Sequence, residues 1–268
     1  MSEDQKPAIS PEKAAKLMLT PVRKPAQGAI RADLGDQFWI HGPQGRIAAW
    51  KRGTGLQVLL VHGWDSNGED MFPFVEPLID AGFRTLTIDL TAHGQSDGES
   101  ASIPLCAQTL LDVQKNVGPP SAIIAHSVGT AVTVNAMGIG LQVGPVVLIG
   151  APAHYVDYAR GMAKQLGLDT EGFEAMLAVL KERGVDVYSV STPQTARSLT
   201  QPALFIHSDD DKVVPVNDAL QSVAAWRGTR MLRLDGLGHR GILRASEVVS
   251  ASVEFVRQKL SGNSANRQ

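Results

Sequence analysis

The chain has 268 residues, of which 43% are hydrophobic and 19% are charged, and its formal net charge is −2. This composition excludes a disordered chain and is sufficient for one large or two small folded domains. Because no basic excess is available to neutralise phosphates, we expect neither nucleic-acid binding nor strong attraction to an anionic membrane.

The two termini are predicted to lie outside the main folded unit. Residues 1–33 form an N-terminal arm in which proline recurs and only 11–19 has a helical pattern. The arm covers an edge strand, docks a second subunit or stays loose, and the sequence leaves these alternatives open. Residues 261–268 are polar and are expected to form a flexible tail.

Eight short β-rich runs alternate with helical patterns between these ends. The runs are QFWI, RIAAWKR, LQVLLVHG, FRTLTIDL, SAIIAH, PVVLIG, PALFIHS and TRMLRL. Several are apolar almost throughout, as is typical of parallel strands covered by helices on both faces. Helical patterns occupy 68–81, 101–117, 127–139, 215–225 and 242–260. We therefore predict an α/β fold with a doubly wound, mostly parallel eight-stranded sheet.

One connection is much longer than the others. It separates PVVLIG from PALFIHS and contains helical patterns over 153–166 and 170–183. We predict that 153–200 form a short helical lid inserted after the sixth strand, because ligands of open α/β sheets bind at the carboxyl edge. A longer crossover that only packs on the sheet remains the alternative. The core then comprises 34–152 and 201–260.

The compartment is predicted from the cysteine count and the first residues. The single cysteine, Cys106, cannot form an internal disulfide and is expected to be a packed thiol in a reducing compartment. The polar, acidic start differs from a signal peptide, and no run approaches the ~18 apolar residues of a membrane span. We therefore expect a cytoplasmic protein with no membrane span.

The stretch SAIIAHSVGTAV places Ser127 directly between a predicted strand and a predicted helix. A sharp turn at this point exposes a hydroxyl at the sheet edge, as in the nucleophile pattern G-x-S-x-G. Gly129 matches the second glycine of that pattern, whereas Ala125 replaces the first. On this stretch alone, a serine is more often the N-cap of the following helix, so both roles stay open.

Four further segments together resemble the α/β-hydrolase family, over roughly Trp39 to Val256. VLLVHGWDSNGED resembles the family's loop after the third strand, and IDLTAHGQSDG resembles the loop after the next strand, with alanine where glycine is usual. The resemblance implies that the backbone amides of Trp64 and Val128 form an oxyanion hole. It also implies that the second loop shapes the site without taking part in the chemistry.

The other two segments supply an acid and a base. LFIHSDDDKVVP resembles the family's D-x-x-V-P, which fits Asp211, with Asp210 as its main rival among three adjacent carboxylates. LDGLGHRGIL resembles G-x-G-H, which fits His239. The resemblance thus implies a catalytic triad of Ser127, Asp211 and His239, in the chain order typical of this fold.

This resemblance points to the serine esterase or lipase branch of the family. It implies a carboxylesterase that cleaves a small-molecule ester of a small or medium acyl group through an acyl-enzyme, with no cofactor and no metal. The serine argues against dehalogenases and epoxide hydrolases, which use aspartate. A modest apolar substrate pocket is expected from four residues of the predicted lid: Tyr155, Tyr158, Met162 and Phe173.

Other functions remain open at this point. The same triad serves thioesterases, serine peptidases or amidases, and carbon–carbon bond hydrolases. A ligand-binding protein that has kept the fold without catalysis is a minor alternative. No motif identifies the natural substrate or the oligomeric state.

Overall fold

The computed structural model describes residues 9–25 and 28–265. Its sheet contains eight strands in the order β1-β2-β4-β3-β5-β6-β7-β8. The strands are β1 (Asp36–Gly42), β2 (Gly45–Arg52), β3 (Gln57–Val61), β4 (Arg84–Ile88), β5 (Ala122–His126), β6 (Val146–Ile149), β7 (Ala203–Ser208) and β8 (Arg230–Leu234). Strand β2 is antiparallel to β1 and β4, and the remaining pairs are parallel. The predicted mostly parallel eight-stranded sheet is therefore confirmed.

Helices cover both faces of this sheet, close to the segments where helical patterns were found. They are α1 (Pro11–Leu19), α2 (Gly28–Asp33), α3 (Val75–Asp80), α4 (Ile103–Val117), α5 (Val128–Gly138), α6 (Tyr155–Gln165), α7 (Thr170–Glu182), α8 (Thr192–Ala196), α9 (Val216–Ala225), α10 (Gly238–Gly241) and α11 (Ser246–Ala265). Short 3-10 helices occupy Gly68–Phe74, Val187–Ser189 and Ile242–Arg244. None of the helices within 9–25 and 28–265 combines the length and apolar character needed to cross a membrane.

Two hydrophobic cores lie on opposite faces of the sheet. Alternate residues of the central strands enter different cores, because successive side chains of a strand point to opposite faces. Leu59 and Ile123 belong to the core beneath α4 and α5, whereas Leu60 and Ile124 belong to the core beneath α11. This double burial explains why the central strands are apolar almost without interruption.

The predicted arm packs against the predicted lid. Helix α1 begins at a Ser10 N-cap, and its buried residues Ala14 and Met18 join the same core as Met176 of α7. Further along, the Arg23 guanidinium donates to backbone carbonyls of the loop between β4 and α4, including those of Gly94 and Ser96. The division into arm, core, lid and tail stays a prediction, and residues 1–8, 26–27 and 266–268 lie outside the described residues.

Candidate active site

Ser127 occupies a strained turn between β5 and α5. Its backbone has φ 53° and ψ −128°, a region that residues other than glycine rarely adopt. Such a conformation costs on the order of 1–3 kcal/mol and is typical of functional sites. Ser127 stands at the N-cap position of α5, yet its side chain makes no capping hydrogen bond. The hydroxyl is therefore available for a different partner.

Close backbone approach explains the glycines around this turn. A Cβ atom on Gly129 would lie 2.4 Å from the backbone oxygen of His62, and one on Gly63 would lie 2.9 Å from the Cβ of Ser127. Neither distance leaves room for a side chain. Ala125, in contrast, lies inside β5 and its methyl group packs fully buried in a hydrophobic core. Alanine is thus accommodated where the nucleophile pattern usually has glycine.

A continuous chain of hydrogen bonds joins Ser127 to His239 and Asp211. His239 Nδ1 lies 2.7 Å from Asp211 Oδ2, and His239 Nε2 lies 2.8 Å from Ser127 Oγ. A carboxylate only accepts hydrogen bonds, so the Nδ1–H donates to Asp211 and Nε2 is left to accept from the serine hydroxyl. The structure thus brings together the three residues that the sequence predicted as a triad.

The three adjacent carboxylates after β7 have different environments. Asp209 pairs with Arg233 at the surface, and Asp210 accepts from the Ser208 hydroxyl and the Gly238 amide. Asp211 alone is buried and contacts His239. Burial by itself raises the pKa of Asp211, but hydrogen bonds from His239 and from backbone amides outweigh burial and lower it below its ordinary value. Asp211 therefore stays ionised beside the imidazole.

Sequence reasoning missed the position of His126. This buried side chain precedes Ser127, and its Nε2 donates to the backbone carbonyl of His239 over 2.8 Å. The two imidazole rings lie 4.9 Å apart. Burial and the neighbouring His239 together lower the pKa of His126 to about 3, so the ring is neutral. Its contact lies 113 residues away along the chain, and no local pattern indicates it.

The amides predicted to form an oxyanion hole lie beside the turn. Within the described residues, neither the backbone N–H of Trp64 nor that of Val128 donates a hydrogen bond. The loop that carries Trp64 is anchored by His62, whose Nδ1 donates to the Gly63 carbonyl and whose Nε2 accepts from the Leu90 amide. Among the described residues, both amides are thus donors without a partner, on residues that line the same cavity as Ser127.

Two buried histidines contact the loop that carries Trp64. His62 and His93 are fully buried, and the His93 ring meets the Trp64 ring edge to face at 5.1 Å. Burial lowers the pKa of His62 to about 4 and that of His93 to about 3. Both rings are therefore neutral packing and hydrogen-bonding groups. Asp89 holds the adjoining loop through the amides of Gly68 and Gln95.

A cavity of about 1400 Å³ opens above Ser127 and His239. Tyr155, Tyr158 and Met162 of α6 line it, as expected for pocket residues. Phe173 does not: it lies buried in α7 as part of a hydrophobic core, with the Arg160 guanidinium of α6 over its ring. Within the described ranges, no three His, Cys, Asp or Glu side chains gather as a metal site.

The chain is similar in sequence to known hydrolases. A model of the alpha/beta hydrolase family matches residues 58–251. The pimeloyl-(acyl-carrier protein) methyl ester esterase of Xanthomonas campestris pv. campestris is 23% identical over 246 residues, which cover 76% of this chain and 96% of the relative. A protein of the same name from Xylella fastidiosa is 23% identical over 248 residues, with the same coverage.

Solved structures share the fold at low sequence identity. An esterase from Pyrococcus furiosus superimposes with a TM-score of 0.67 at 20% identity, covering 90% of this chain and 97% of its own. An esterase from Exiguobacterium antarcticum gives 0.67 at 16% identity, covering 83% and 100%. A bromoperoxidase from Bacillus anthracis gives 0.66 at 17% identity, also covering 83% and 100%. These likenesses concern the fold alone.

Proposed function

The chain belongs to the alpha/beta hydrolase family, and on that premise we propose that it is a serine carboxylesterase that works through an acyl-enzyme. The observation that carries the proposal is the hydrogen-bonded chain from Ser127 Oγ through His239 to Asp211. A binding protein has no need of a matched serine, histidine and acid at the floor of a cavity. The esterases among its relatives support the ester as the substrate class.

In the first half of the reaction, Ser127 attacks the carbonyl carbon of the ester while His239 Nε2 takes its proton. Asp211 holds the imidazole in the required tautomer and stabilises its cationic form. The free amides of Trp64 and Val128 stabilise the negative oxygen of the tetrahedral intermediate. Loss of one such donor costs ~2.7–4 kcal/mol of barrier in comparable sites.

Collapse of this intermediate completes the first half: His239 gives its proton to the departing alkoxide, the alcohol leaves, and Ser127 carries the acyl group. In the second half, His239 removes a proton from water, which attacks the acyl-enzyme carbonyl. Collapse of the second tetrahedral intermediate returns the proton to Ser127 and releases the acid. Each turnover thus consumes one ester and one water and gives one acid and one alcohol. His239 carries out every proton transfer.

The wall of the cavity suits an apolar acyl group, and we propose that this group is small or medium in size. Part of its wall is apolar and aromatic, with Tyr155 and Tyr158 stacked at 6.2 Å and Trp64 at 6.4 Å from Tyr158. Burial raises the pKa of both tyrosines, so their hydroxyls stay neutral. An acyl chain packed on these rings would gain contact without meeting a charge.

The test is hydrolysis of p-nitrophenyl esters of graded acyl length, with a thioester, an amide and a carbon–carbon substrate beside them. We expect turnover of short and medium esters by the wild type. The Ser127→Ala variant should lose at least roughly 10⁴-fold in kcat, as triad serines do elsewhere. Ser198→Ala, which alters an exposed serine at the end of α8, is the matched control. Equal rates for Ser127→Ala and wild type would reject the proposal.

A further inference from the structure

Three cations line the cavity without an intramolecular counter-charge. Lys212, Arg240 and Arg244, here called the cationic rim, are exposed residues of the cavity lining. Within residues 9–25 and 28–265, none of the three forms an ion pair or a side-chain hydrogen bond. Their charges therefore face the cavity and the solvent.

The acidic side chains of the same cavity are already engaged. Five of them line it, and each has a partner outside the rim. Asp70, Glu69 and Asp157 form ion pairs with Lys24, Arg31 and Arg160. Asp65 and Asp218 accept from the backbone amides of Val22 and Ala153. Within the described residues, no hydrogen bond or ion pair joins any of the five to the rim.

The rim lies close to the reacting atoms. Lys212 directly follows Asp211, and Arg240 directly follows His239, so each backbone position is about 3.8 Å from that of a proposed triad residue. Arg244 lies one turn further on, at the end of the 3-10 helix Ile242–Arg244. All three residues line the cavity that also contains Ser127, so a ligand bound there is within their reach.

The charge of the cationic rim differs in sign from that of the whole chain. The formal net charge is −2, so the rim is not a consequence of a basic composition. A group of unpaired cations beside a cleft raises the local concentration of anionic ligands. Guanidinium groups also bind carboxylates and phosphates through paired hydrogen bonds.

We propose that the substrate is an anionic ester, whose carboxylate or phosphate binds to the cationic rim while its ester carbonyl lies at Ser127. This inference rests on the proposed esterase function and narrows its substrate class. The anionic group belongs to the part of the substrate that stays outside the aromatic wall of α6. The rim thus selects among esters, and Ser127 with His239 performs the chemistry.

The experiment compares esters that differ only in one charge. The first arm uses the monomethyl esters of glutarate, adipate and suberate, each against the same chain ending in a carboxamide. The second arm uses 1-butyrylglycerol 3-phosphate against 1-butyrylglycerol. The readout is the ratio of kcat/KM for the anionic and neutral member of each pair, because any loss of folded enzyme cancels in it.

In the wild type we expect a ratio of about ten or more in one arm, set by hydrogen bonds to a charged group. The arm with the larger ratio identifies the anion. The double variant Arg240→Gln/Arg244→Gln leaves only Lys212 of the rim and should lower the ratio several-fold, and Arg240→Lys/Arg244→Lys should restore part of it. The control Arg183→Gln/Arg197→Gln changes two exposed arginines outside the cavity and should keep the wild-type ratio.

Two results would overturn the inference and leave the esterase proposal intact. One is a wild-type ratio near one in both arms, and the other is a ratio in the double glutamine variant that equals the wild-type ratio. Failure to hydrolyse any of these esters, neutral or anionic, would instead reject the proposed function and this inference with it. Raised salt provides a second readout: it should reduce the wild-type ratio, because exposed charges are screened.

Discussion

The serine and the histidine of the candidate site are held in different ways. Ser127 follows β5, a central strand whose five residues are all buried, and leads into the largely buried helix α5. His239 follows β8, the edge strand of the sheet, where no residue is fully buried. The first position is fixed by packing on both faces of the sheet, whereas the second depends on individual hydrogen bonds.

Three hydrogen bonds replace packing on the edge-strand side. Asp211 binds the His239 ring, His126 binds its backbone carbonyl, and Asp210 binds the amide of Gly238. Of these partners, His126 belongs to β5 itself. The central strand therefore leads to the proposed nucleophile and also carries His126, whose neutral imidazole links the two regions in addition to the bond between Ser127 and His239.

The largest effect is expected at the acid. Asp211→Asn removes the carboxylate that orients His239 and should lower kcat by roughly 10⁴-fold, as loss of the acid does in related sites. Asp210→Asn changes the adjacent carboxylate, which binds only backbone and Ser208, and should cost far less. Steady-state kinetics on one p-nitrophenyl ester compares the two variants. A larger loss of kcat in Asp210→Asn than in Asp211→Asn would show that Asp210, and not Asp211, is the acid.

Packing on the central-strand side predicts a loss of stability. Gly129→Ala would set a Cβ 2.4 Å from the His62 carbonyl oxygen and should lower the free energy of unfolding by about 1–3 kcal/mol. Gly161→Ala, in α6, meets no atom within 4 Å and should raise it by about 0.5–1 kcal/mol through helix propensity. Urea unfolding measures both changes. Equal stability of the two variants would contradict the close approach.

One substitution removes the hydrogen bond between His126 and the backbone carbonyl of His239. His126→Ala removes the donor to the His239 carbonyl and should lower kcat by about tenfold, because a small misplacement of the imidazole slows proton transfer. His126→Gln retains an N–H donor and should recover part of the rate. KM for the same ester should change little in both. An unchanged kcat in His126→Ala would mean that the edge loop positions His239 without this bond.

The smallest effect is a pH dependence of stability. Burial holds the pKa of His62 at about 4 and those of His93 and His126 at about 3, below the ordinary value of about 6.5. Between about pH 6.5 and 4 the unfolded chain binds protons that the folded chain does not, so stability falls as the pH falls through this range. The lowered pKa of Asp211 adds a loss only below about pH 4.

Urea unfolding at several pH values between about 7.5 and 4.5 measures this slope. His93→Gln should reduce the slope of unfolding free energy against pH by the equivalent of about one bound proton. The reason is that one buried imidazole fewer takes up a proton on unfolding. Asn116→Gln, which leaves the buried histidines unchanged and adds no titratable group, should retain the slope. A stability that is flat across this range in the wild type would contradict neutral, buried histidines on the central-strand side.

Local patterns in the sequence predict most of the fold and most members of the candidate site. Apolar runs and helical periodicity identify the eight strands and the long helices, and Ser127 and His239 each follow a strand within a recognisable motif. Asp211 and Asp210 could not be separated in this way, because their difference is which carboxylate turns inward. That depends on Val213 and Val214 amides and on His239, and only the folded loop provides them.

Contacts between distant segments are what the sequence does not encode locally. Phe173 has the periodicity of a buried helix face, but periodicity gives no indication of whether that face meets the cavity or another helix. It joins a buried core and contacts Arg160 of α6, so the aromatic wall contains Tyr155 and Tyr158 without it. His126 likewise has the pattern of a strand residue, and its contact with His239 arises only from the parallel arrangement of the sheet.

The central claim is that His239, held at the sheet edge, activates Ser127 on the central strand. Reaction with a fluorophosphonate, followed by mass spectrometry of the intact chain and of its peptides, tests this most directly. We expect a single adduct on Ser127 in the wild type, none in Ser127→Ala and strongly slowed labelling in His239→Ala. A folded wild type that fails to react, or an adduct on another residue, would contradict the account.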